Sequence, residues 1–179
     1  MIKHQEQRVG VFVDVQNLYY SAKNLYNTKV NFAAILKTAV FGRKLIRAIA
    51  YVIKAQNQDE QKFFEALDKQ GFEVKTKDLQ IFYGGHKKGD WDIGIAMDII
   101  RLSQKIDVVV LVTGDGDFIP LVEYLRNHGQ YVELMAFSES ASSQLIKEAD
   151  EFTDLSADRR KYLIPSQFKS VLKKISKRV

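Results

Sequence analysis

Residues 107–117 read DVVVLVTGDGD and decide the fold class. The run 107–112 is almost entirely β-branched and apolar, which is typical of a strand covered on both faces of a sheet. The TGDGD that follows is rich in Asp and Gly, the usual residues of turns. We therefore expect a buried parallel strand that ends in a tight acidic loop.

Strand and helix signals alternate on both sides of this run. Further strands are predicted at 8–14, 44–53, 72–75 and 130–137, with one more before residue 83. Helices are predicted at 17–23, 32–40, 58–70, 90–103, 118–127 and 142–149. This alternation indicates βαβ crossovers, and hence an α/β fold of three layers with a mostly parallel central sheet and helices on both faces.

The composition of the chain excludes several classes of protein and of functional site. The chain has 179 residues, of which 46% are hydrophobic, enough for one domain with a sizeable core. Cysteine is absent, which excludes disulfides, thiolate metal sites and cysteine nucleophiles. The N-terminal MIKHQEQRVG lacks the apolar stretch of a secretory signal, and no apolar run is long enough to span a bilayer. We expect a cytoplasmic protein with no membrane partner.

The net charge of +5 is unevenly distributed. Residues 156–179 hold eight basic residues and one acid, so the remainder of the chain carries a charge of −2. We therefore divide the chain into a domain at 1–155 and a basic tail at 156–179, with a helix expected from Ser166. A basic tail favours a polyanionic partner, although a solvated helix end explains it equally well. An exposed helix at 168–175 also offers a surface on which two chains could pair.

Three aspartates follow strand ends. Asp14 closes the first strand, and Asp115 and Asp117 lie in the loop after residue 112. Because ligands of open α/β sheets bind beyond the carboxyl ends of the strands, these carboxylates are expected at one edge. Each alone could be a turn or cap residue. Together they repel one another, which is tolerated mainly where a cation neutralises them.

A fourth aspartate lies in the predicted helix at 90–103. At 100° per residue, the apolar positions form one wide arc that includes Ile93 and Met97, and Asp92 falls inside it. The first helical turn can direct Asp92 toward the strand ends. The alternative is an ordinary helix N-terminal acid. Asp98 lies at the border of the arc and is expected to be structural.

Clusters of oxygen ligands suit Mg²⁺ or Mn²⁺, ions that activate water and stabilise charge on a phosphoryl group. Competing chemistry has little support: the histidines His4, His86 and His128 lack ligand spacing, and GxSxG, P-loop and GxGxxG motifs are absent. The residues alone predict a metal-dependent enzyme that acts on phosphate esters.

Four segments resemble a known family. They are VFVDVQNLYY at 11–20, KGDWDIGIAMDI at 88–99, the stretch 108–134, and SSQLIKEADEFTDL at 142–155. In this order they are similar to the NYN domain of the PIN-like nuclease superfamily, and most similar to its bacterial LabA-like (DUF88) group. The resemblance covers residues 8–155 and leaves out the basic tail. It implies a Rossmann-like, PIN-like fold with an acidic pocket and metal-dependent cleavage of RNA.

The resemblance also assigns roles by motif. It places the catalytic positions on Asp14, Asn17, Asp92, Asp115 and Asp117. The four aspartates would bind one or two Mg²⁺ or Mn²⁺ ions, and Asn17 would orient a carboxylate or a water.

Contacts with RNA are predicted around this site. Thr113 could contact a phosphate, although a hydroxyl–backbone bond within the turn explains it as well. Lys87 and Lys88 could meet the nucleic-acid backbone, or could lie in a solvated loop. Tyr19, Tyr20 and Trp91 could stack on bases, but aromatic residues at such positions are more often packing residues.

Two rival functions stand beside the ribonuclease. A phosphatase of the haloacid dehalogenase type also has a G-D-G element, but it needs a second Asp two residues after the first, where this chain has Gln16. A non-catalytic RNA-binding or regulatory module on a nuclease fold is the stronger alternative, since a fold does not guarantee activity. Retention of every acidic position argues against an inactive site.

Overall fold

A computed structural model of the chain describes residues 3–54, 60–78, 80–81, 87–88 and 90–164. The strands are β1 Arg8–Asp14, β2 Lys29–Val30, β3 Lys44–Lys54, β4 Glu73–Asp78, β5 Gln80–Ile81, β6 Lys87–Lys88, β7 Val108–Val112, β8 Tyr131–Ala136, β9 Glu151–Asp154 and β10 Leu163–Ile164. The helices are α1 Val15–Tyr26, α2 Phe32–Val40, α3 Glu60–Lys69, α4 Asp92–Ser103, α5 Ile119–Asn127, α6 Ser143–Glu148 and α7 Arg159–Tyr162, with a 3₁₀ turn at Gly116–Phe118.

Six strands form the central sheet in the order β4-β3-β1-β7-β8-β9, and every pairing within it is parallel. The chain first builds outward from β1 through β3 and β4, and then returns to build through β7, β8 and β9. The order therefore reverses between β1 and β7, whose carboxyl ends border a crevice of the kind in which α/β proteins bind ligands. The predicted α/β class with a mostly parallel sheet is confirmed.

Helices cover both faces of the sheet because its central strands are apolar on both. In β7, Val108, Val110 and Val112 pack with α1, α2 and α3, whereas Val109 and Leu111 pack with α4, α5 and α6. All five side chains are fully buried. The unbroken apolar run in the sequence is the direct consequence of this two-sided burial.

The structure corrects the wide apolar arc predicted on α4. The buried positions are Ile95, Ile99 and Ser103, whereas Ile93 is 78% exposed and Met97 is exposed as well. Ala96, Ile100 and Leu102 are partly buried against the same core, so the covered face is wider than the stripe of fully buried residues but does not include Ile93 or Met97. Asp92 continues the same stripe by helical spacing, so its carboxylate lies on the side that faces the protein.

The chain after residue 155 contributes to the fold. Tyr162 and Leu163 are buried in the core, and β10 pairs antiparallel with β2. The predicted helix from Ser166 and the rest of the basic tail lie outside the described residues. Within the described parts of the chain, no helix combines the length and apolar character that a membrane span requires.

Candidate metal centre

A cleft of about 330 Å³ opens at the carboxyl ends of β1 and β7. One side is the exposed face of α1, and the other is the start of α4. Its described lining residues are Asp14, Gln16, Asn17, Tyr20, Ser21, Asn24, Asp90, Trp91, Asp92 and Asp115. The crevice at the reversal of strand order is thus an acidic cleft.

Three carboxylates meet beside this cleft. Asp92, Asp115 and Asp117 each offer one oxygen, and these oxygens all lie within 4.8 Å of one another. Asp92 begins α4, and Asp115 caps the 3₁₀ turn by accepting a hydrogen bond from the N–H of Asp117 at 3.0 Å. Among the described residues, no lysine, arginine or histidine forms an ion pair with any of the three. Within the described parts of the chain, the cluster is therefore negative charge without an ion pair.

Asp14 lies beside this cluster and is only 9% exposed. Its Oδ1 accepts a hydrogen bond from the N–H of Asn17 at 3.0 Å, and its Oδ2 accepts one from the Thr113 hydroxyl at 3.3 Å. Burial raises the pKa of the Asp14 carboxyl to about 6, despite the opposing hydrogen bond from Asn17, and the charges of Asp92 and Asp115 add to the rise.

Burial, followed by the charge of Asp115, also raises the pKa of Asp92. Asp90 and Asp117 add to this rise, whereas the positive charge of Lys77 opposes it. The neighbouring carboxylates thus make ionisation of Asp14 and Asp92 less favourable.

Two uncharged side chains join the loops that carry the aspartates. The side-chain oxygen of Asn17 accepts a hydrogen bond from the N–H of Gly114 at 2.9 Å. The hydroxyl of Thr113 donates to Asp14 and accepts from the N–H of Asp115 at 3.3 Å. These bonds connect the end of β1 with the loop after β7. The spacing between Asp14 and Asp115 is therefore fixed by hydrogen bonds of two uncharged side chains.

Trp91 fixes the start of α4. Its indole N–H donates to the carbonyl of Val52 at 3.0 Å, and its ring centroid lies 5.3 Å from that of Tyr51. The ring also covers Gly94, where an added Cβ would fall 2.5 Å from a ring carbon. These three contacts hold the Trp91 ring in place, and they also fix the position of the adjacent Asp92.

Asp98 has the structural role expected for it. Its carboxylate accepts hydrogen bonds from the Tyr51 hydroxyl at 2.9 Å and from Lys75 at 2.7 Å. These partners, together with Arg101, hold the pKa of Asp98 below its ordinary value despite its partial burial. The interaction attaches the middle of α4 to β3 and β4, away from the cluster.

The structure thus brings together Asp14, Asn17, Asp92, Thr113, Asp115 and Asp117. Thr113 has no exposed surface, and its hydroxyl is used within the site, so burial disfavours its predicted contact with a phosphate. Lys87 and Lys88 form β6, which pairs with β5, and their side chains lie outside the described parts. Their contact with RNA stays a prediction.

Sequence reasoning did not single out the amide side chains of the cleft. Gln16 and Asn24 line it from α1, on the same side as Tyr20. The signal was available, because residues 16, 20 and 24 are four apart and lie on one face of a helix that begins directly after Asp14.

Comparison with known proteins places this chain in a family. The NYN domain model matches residues 8–156. The chain is 26% identical over 163 residues to the low amplitude and bright protein LabA of Synechococcus elongatus, with 83% of each chain covered. It is 26% identical over 148 residues to an uncharacterized protein of Methanocaldococcus jannaschii, covering 81% of this chain and 54% of that protein.

A solved structure supports the same assignment. The crystal structure of a protein of unknown function from Vibrio parahaemolyticus is 31% identical, with a TM-score of 0.82, and the match covers 92% of this chain and 100% of that one. These findings confirm the resemblance to NYN and LabA-like proteins. The chain belongs to the NYN domain family, which has a nuclease-like fold.

Proposed function

We propose that the chain is a ribonuclease that hydrolyses RNA phosphodiester bonds with the help of Mg²⁺ or Mn²⁺. The observation that carries this proposal is the convergence of Asp92, Asp115 and Asp117 within 4.8 Å, without an ion pair to any described basic side chain. Their carboxylates come from two separate elements, and their mutual repulsion needs a compensating positive charge. Membership of the NYN family, with its nuclease-like fold, supports the same activity.

The donor set fits a divalent ion. All the ligand atoms are carboxylate oxygens, which Mg²⁺ and Mn²⁺ prefer. Mg²⁺ binds oxygen at about 2.1 Å, so two ligands on opposite sides of one ion lie about 4.2 Å apart. Oxygens within 4.8 Å of one another therefore need only small side-chain adjustments to share an ion. Asp14 borders the same cleft, and its part in binding an ion belongs to the proposal.

When bound, the ion supplies activation of water and stabilisation of negative charge on the phosphoryl group. The residues of the chain supply the geometry of the site. Asp92, Asp115 and Asp117 hold the ion, and Asp14 adds a buried negative charge next to it. Asn17 keeps the two loops at a fixed separation through its bond to Gly114. Reactive groups held in this way gain from fixed geometry as well as from charge.

A cleavage assay tests the proposal. Labelled single-stranded and structured RNAs are incubated with the wild type in Mg²⁺, Mn²⁺ or EDTA, beside Asp115→Asn. We expect cleavage that EDTA abolishes, and a loss of at least about a hundredfold in Asp115→Asn, because several kcal/mol of charge stabilisation disappear.

Asp107→Asn provides the matched control. Asp107 precedes β7 whereas Asp115 follows it, and its carboxylate pairs with Arg8 outside the cleft. This variant should cleave as the wild type does. Cleavage that persists in EDTA, or equal activity of the Asp115→Asn and Asp107→Asn variants, would contradict the proposal. RNA that is bound but uncut in every metal would instead support the non-catalytic module.

A further inference from the structure

The wall of the cleft formed by α1 carries a regular stripe of polar and aromatic side chains. Gln16, Tyr20 and Asn24 lie at four-residue intervals and all line the cleft. At 1.5 Å per residue, this stripe runs for about 12 Å along the helix. It begins two residues after Asp14 and leads away from the acidic cluster.

The stripe has hydrogen-bonding capacity that the described structure does not use. Within the described residues, the side chains of Gln16, Tyr20 and Asn24 form no hydrogen bond, whereas Asn17 accepts one from Gly114 and Ser21 accepts one from Ser140. Tyr20 is half-exposed, with its ring edge-on to Tyr19 at 5.4 Å. Two amides and a phenol thus present donors and acceptors to the cleft.

The facing wall is rigid and partly aromatic. Trp91 lines the cleft from the start of α4 and is fixed by its bond to Val52 and by its contacts with Tyr51 and Gly94. An aromatic residue that is already immobilised loses little conformational freedom when a planar ligand packs against it. The cleft therefore has a fixed aromatic side and a hydrogen-bonding side.

Charge defines which part of an RNA fits there. The described lining residues include four aspartates and neither lysine nor arginine, so the stripe does not suit a phosphate. Lysines lie against two aromatic rings instead: Lys23 is 5.6 Å from the ring centroid of Tyr19, which lies outside the described lining, and Lys77 is 5.9 Å from that of Trp91, which belongs to it. A lining of amides and carboxylates, with the lysines placed on the aromatic rings beside it, suits a base inside the cleft and a backbone outside it.

The geometry points to a nucleobase subsite between α1 and Trp91, in which Tyr20 stacks on an unpaired base while Gln16 and Asn24 bond its edge. This inference rests on the proposed function, which it deepens by naming single-stranded RNA as the substrate class. A base in a duplex is stacked and paired, so it cannot enter such a cleft. Single-stranded bases can be splayed out onto aromatic side chains and bonded through their exposed edges.

The test measures binding and cleavage separately. A fluorescein-labelled single-stranded RNA and its duplex with the complementary strand are titrated in EDTA, and Kd is obtained from fluorescence anisotropy. Cleavage of the single strand in Mn²⁺ gives KM and kcat. The variants are Tyr20→Ala and the double substitution of Gln16 and Asn24 by Ala. Tyr124→Ala is the control, because Tyr124 is 40% exposed on α5 and does not line the cleft.

We expect the wild type to prefer the single strand. Tyr20→Ala should raise Kd about 5- to 150-fold, since stacking on one aromatic residue contributes about 1–3 kcal/mol per base. The loss in cleavage should fall mainly on KM. The double variant should change the ratio of Kd values between adenine and uracil homopolymers, a readout that a general loss of folding would not produce. Tyr124→Ala should match the wild type in every measurement.

The outcomes separate the two proposals. Equal binding by Tyr20→Ala and Tyr124→Ala, or equal affinity of the wild type for single strand and duplex, would overturn the subsite. If no metal supports cleavage and Tyr20→Ala still weakens single-strand binding, the subsite stands and the ribonuclease proposal fails.

Discussion

The side-chain oxygen of Asn17 accepts a hydrogen bond from the backbone N–H of Gly114 at 2.9 Å and joins the two loops that border the cleft. Asn17 belongs to α1, which follows β1, and Gly114 follows β7, so the bond crosses the point at which strand order reverses. The N–H of Asn17 also bonds Asp14. One neutral residue therefore sets both the direction of Asp14 and its distance from the loop of Asp115.

Replacing Asn17 by Ala should weaken Mn²⁺ binding about 10- to 100-fold, because groups that orient metal ligands typically contribute this much to affinity. The backbone N–H of residue 17 remains for Asp14, but the connection to Gly114 is lost. The Mn²⁺ concentration dependence of the thermal midpoint measures the change. Asn127→Ala, at the exposed end of α5, should bind as the wild type does. Identical titrations for the Asn17 and Asn127 variants would show that the bond does not position the ligands.

The buried carboxyl of Asp14 makes the stability of the metal-free protein depend on pH. Burial raises its pKa to about 6 in the folded state, from 3.8 in the unfolded chain. Between these two values the folded state binds a proton at Asp14 that the unfolded chain has already released. The free energy of unfolding therefore decreases as pH rises, and the decrease is complete above about pH 6. A difference of about two pKa units corresponds to roughly 3 kcal/mol.

Asp14→Asn should therefore be more stable than the wild type by up to about 3 kcal/mol at pH 8 in EDTA, with little difference at pH 4. Urea unfolding at several pH values measures the gain. Asp107→Asn is the control: the hydrogen bond from Arg8 lowers the pKa of Asp107 below 3.8, so its contribution to stability is nearly complete at pH 4 and is lost only at lower pH. The difference in stability between this variant and the wild type should therefore be nearly the same at pH 4 and pH 8. An Asp14→Asn variant that is destabilised equally at both pH values would contradict the buried-charge interpretation.

The sequence predicted those parts of the fold whose signals are local and strong. The run at β7 is apolar on both faces because helices cover both, and α2 has the bounds predicted for it, 32–40, with Asn31 as its N-cap. Strand β9 was not predicted, since Glu151–Asp154 has no apolar alternation and is a strand only because it pairs with β8. The burial of Tyr162 and Leu163 was not predicted either, because they lie in a basic stretch and are buried only through contacts with residues distant in sequence.

The candidate site likewise has features that could be predicted from the sequence and features that could not. Asp14, Asp115 and Asp117 could be predicted because strand ends of a parallel sheet meet at one edge. Asp92 followed from its place on a helical face. The exposure of Ile93 could not be predicted, because helical periodicity says which residues share a face but not how wide a surface the rest of the protein covers. For Thr113, the hydroxyl–backbone bond within the turn was one of the two predictions and is present with the N–H of Asp115. Its second bond, to Asp14, could not be predicted, because the two residues are 99 apart in sequence.

Outside the described lining of the cleft, a buried ion pair joins the loop after α2 to β8. Arg43 donates to both carboxylate oxygens of Glu133, at 2.7 and 2.9 Å, and the two side chains are 1% and 6% exposed. Glu133→Ala leaves the guanidinium buried without its partner and should cost about 3–5 kcal/mol in urea unfolding. Asp107→Ala, which breaks an exposed pair with Arg8, should cost less than about 1 kcal/mol. Similar losses for both would mean that burial does not govern the pair at Glu133.

Trp91 is the single tryptophan of the chain and stands next to Asp92, so its fluorescence reports on the site. Gly94→Ala places a methyl group 2.5 Å from a ring carbon of Trp91 and must displace the indole from its bond to Val52. We expect a shifted emission maximum, a stability loss of about 1–3 kcal/mol from overpacking, and weaker Mn²⁺ binding, because Asp92 moves with its neighbour. Ile93→Ala, on the exposed face of the same helix, should change none of the three. An unshifted emission spectrum for Gly94→Ala, with Mn²⁺ affinity retained, would show that the indole does not fix the start of α4.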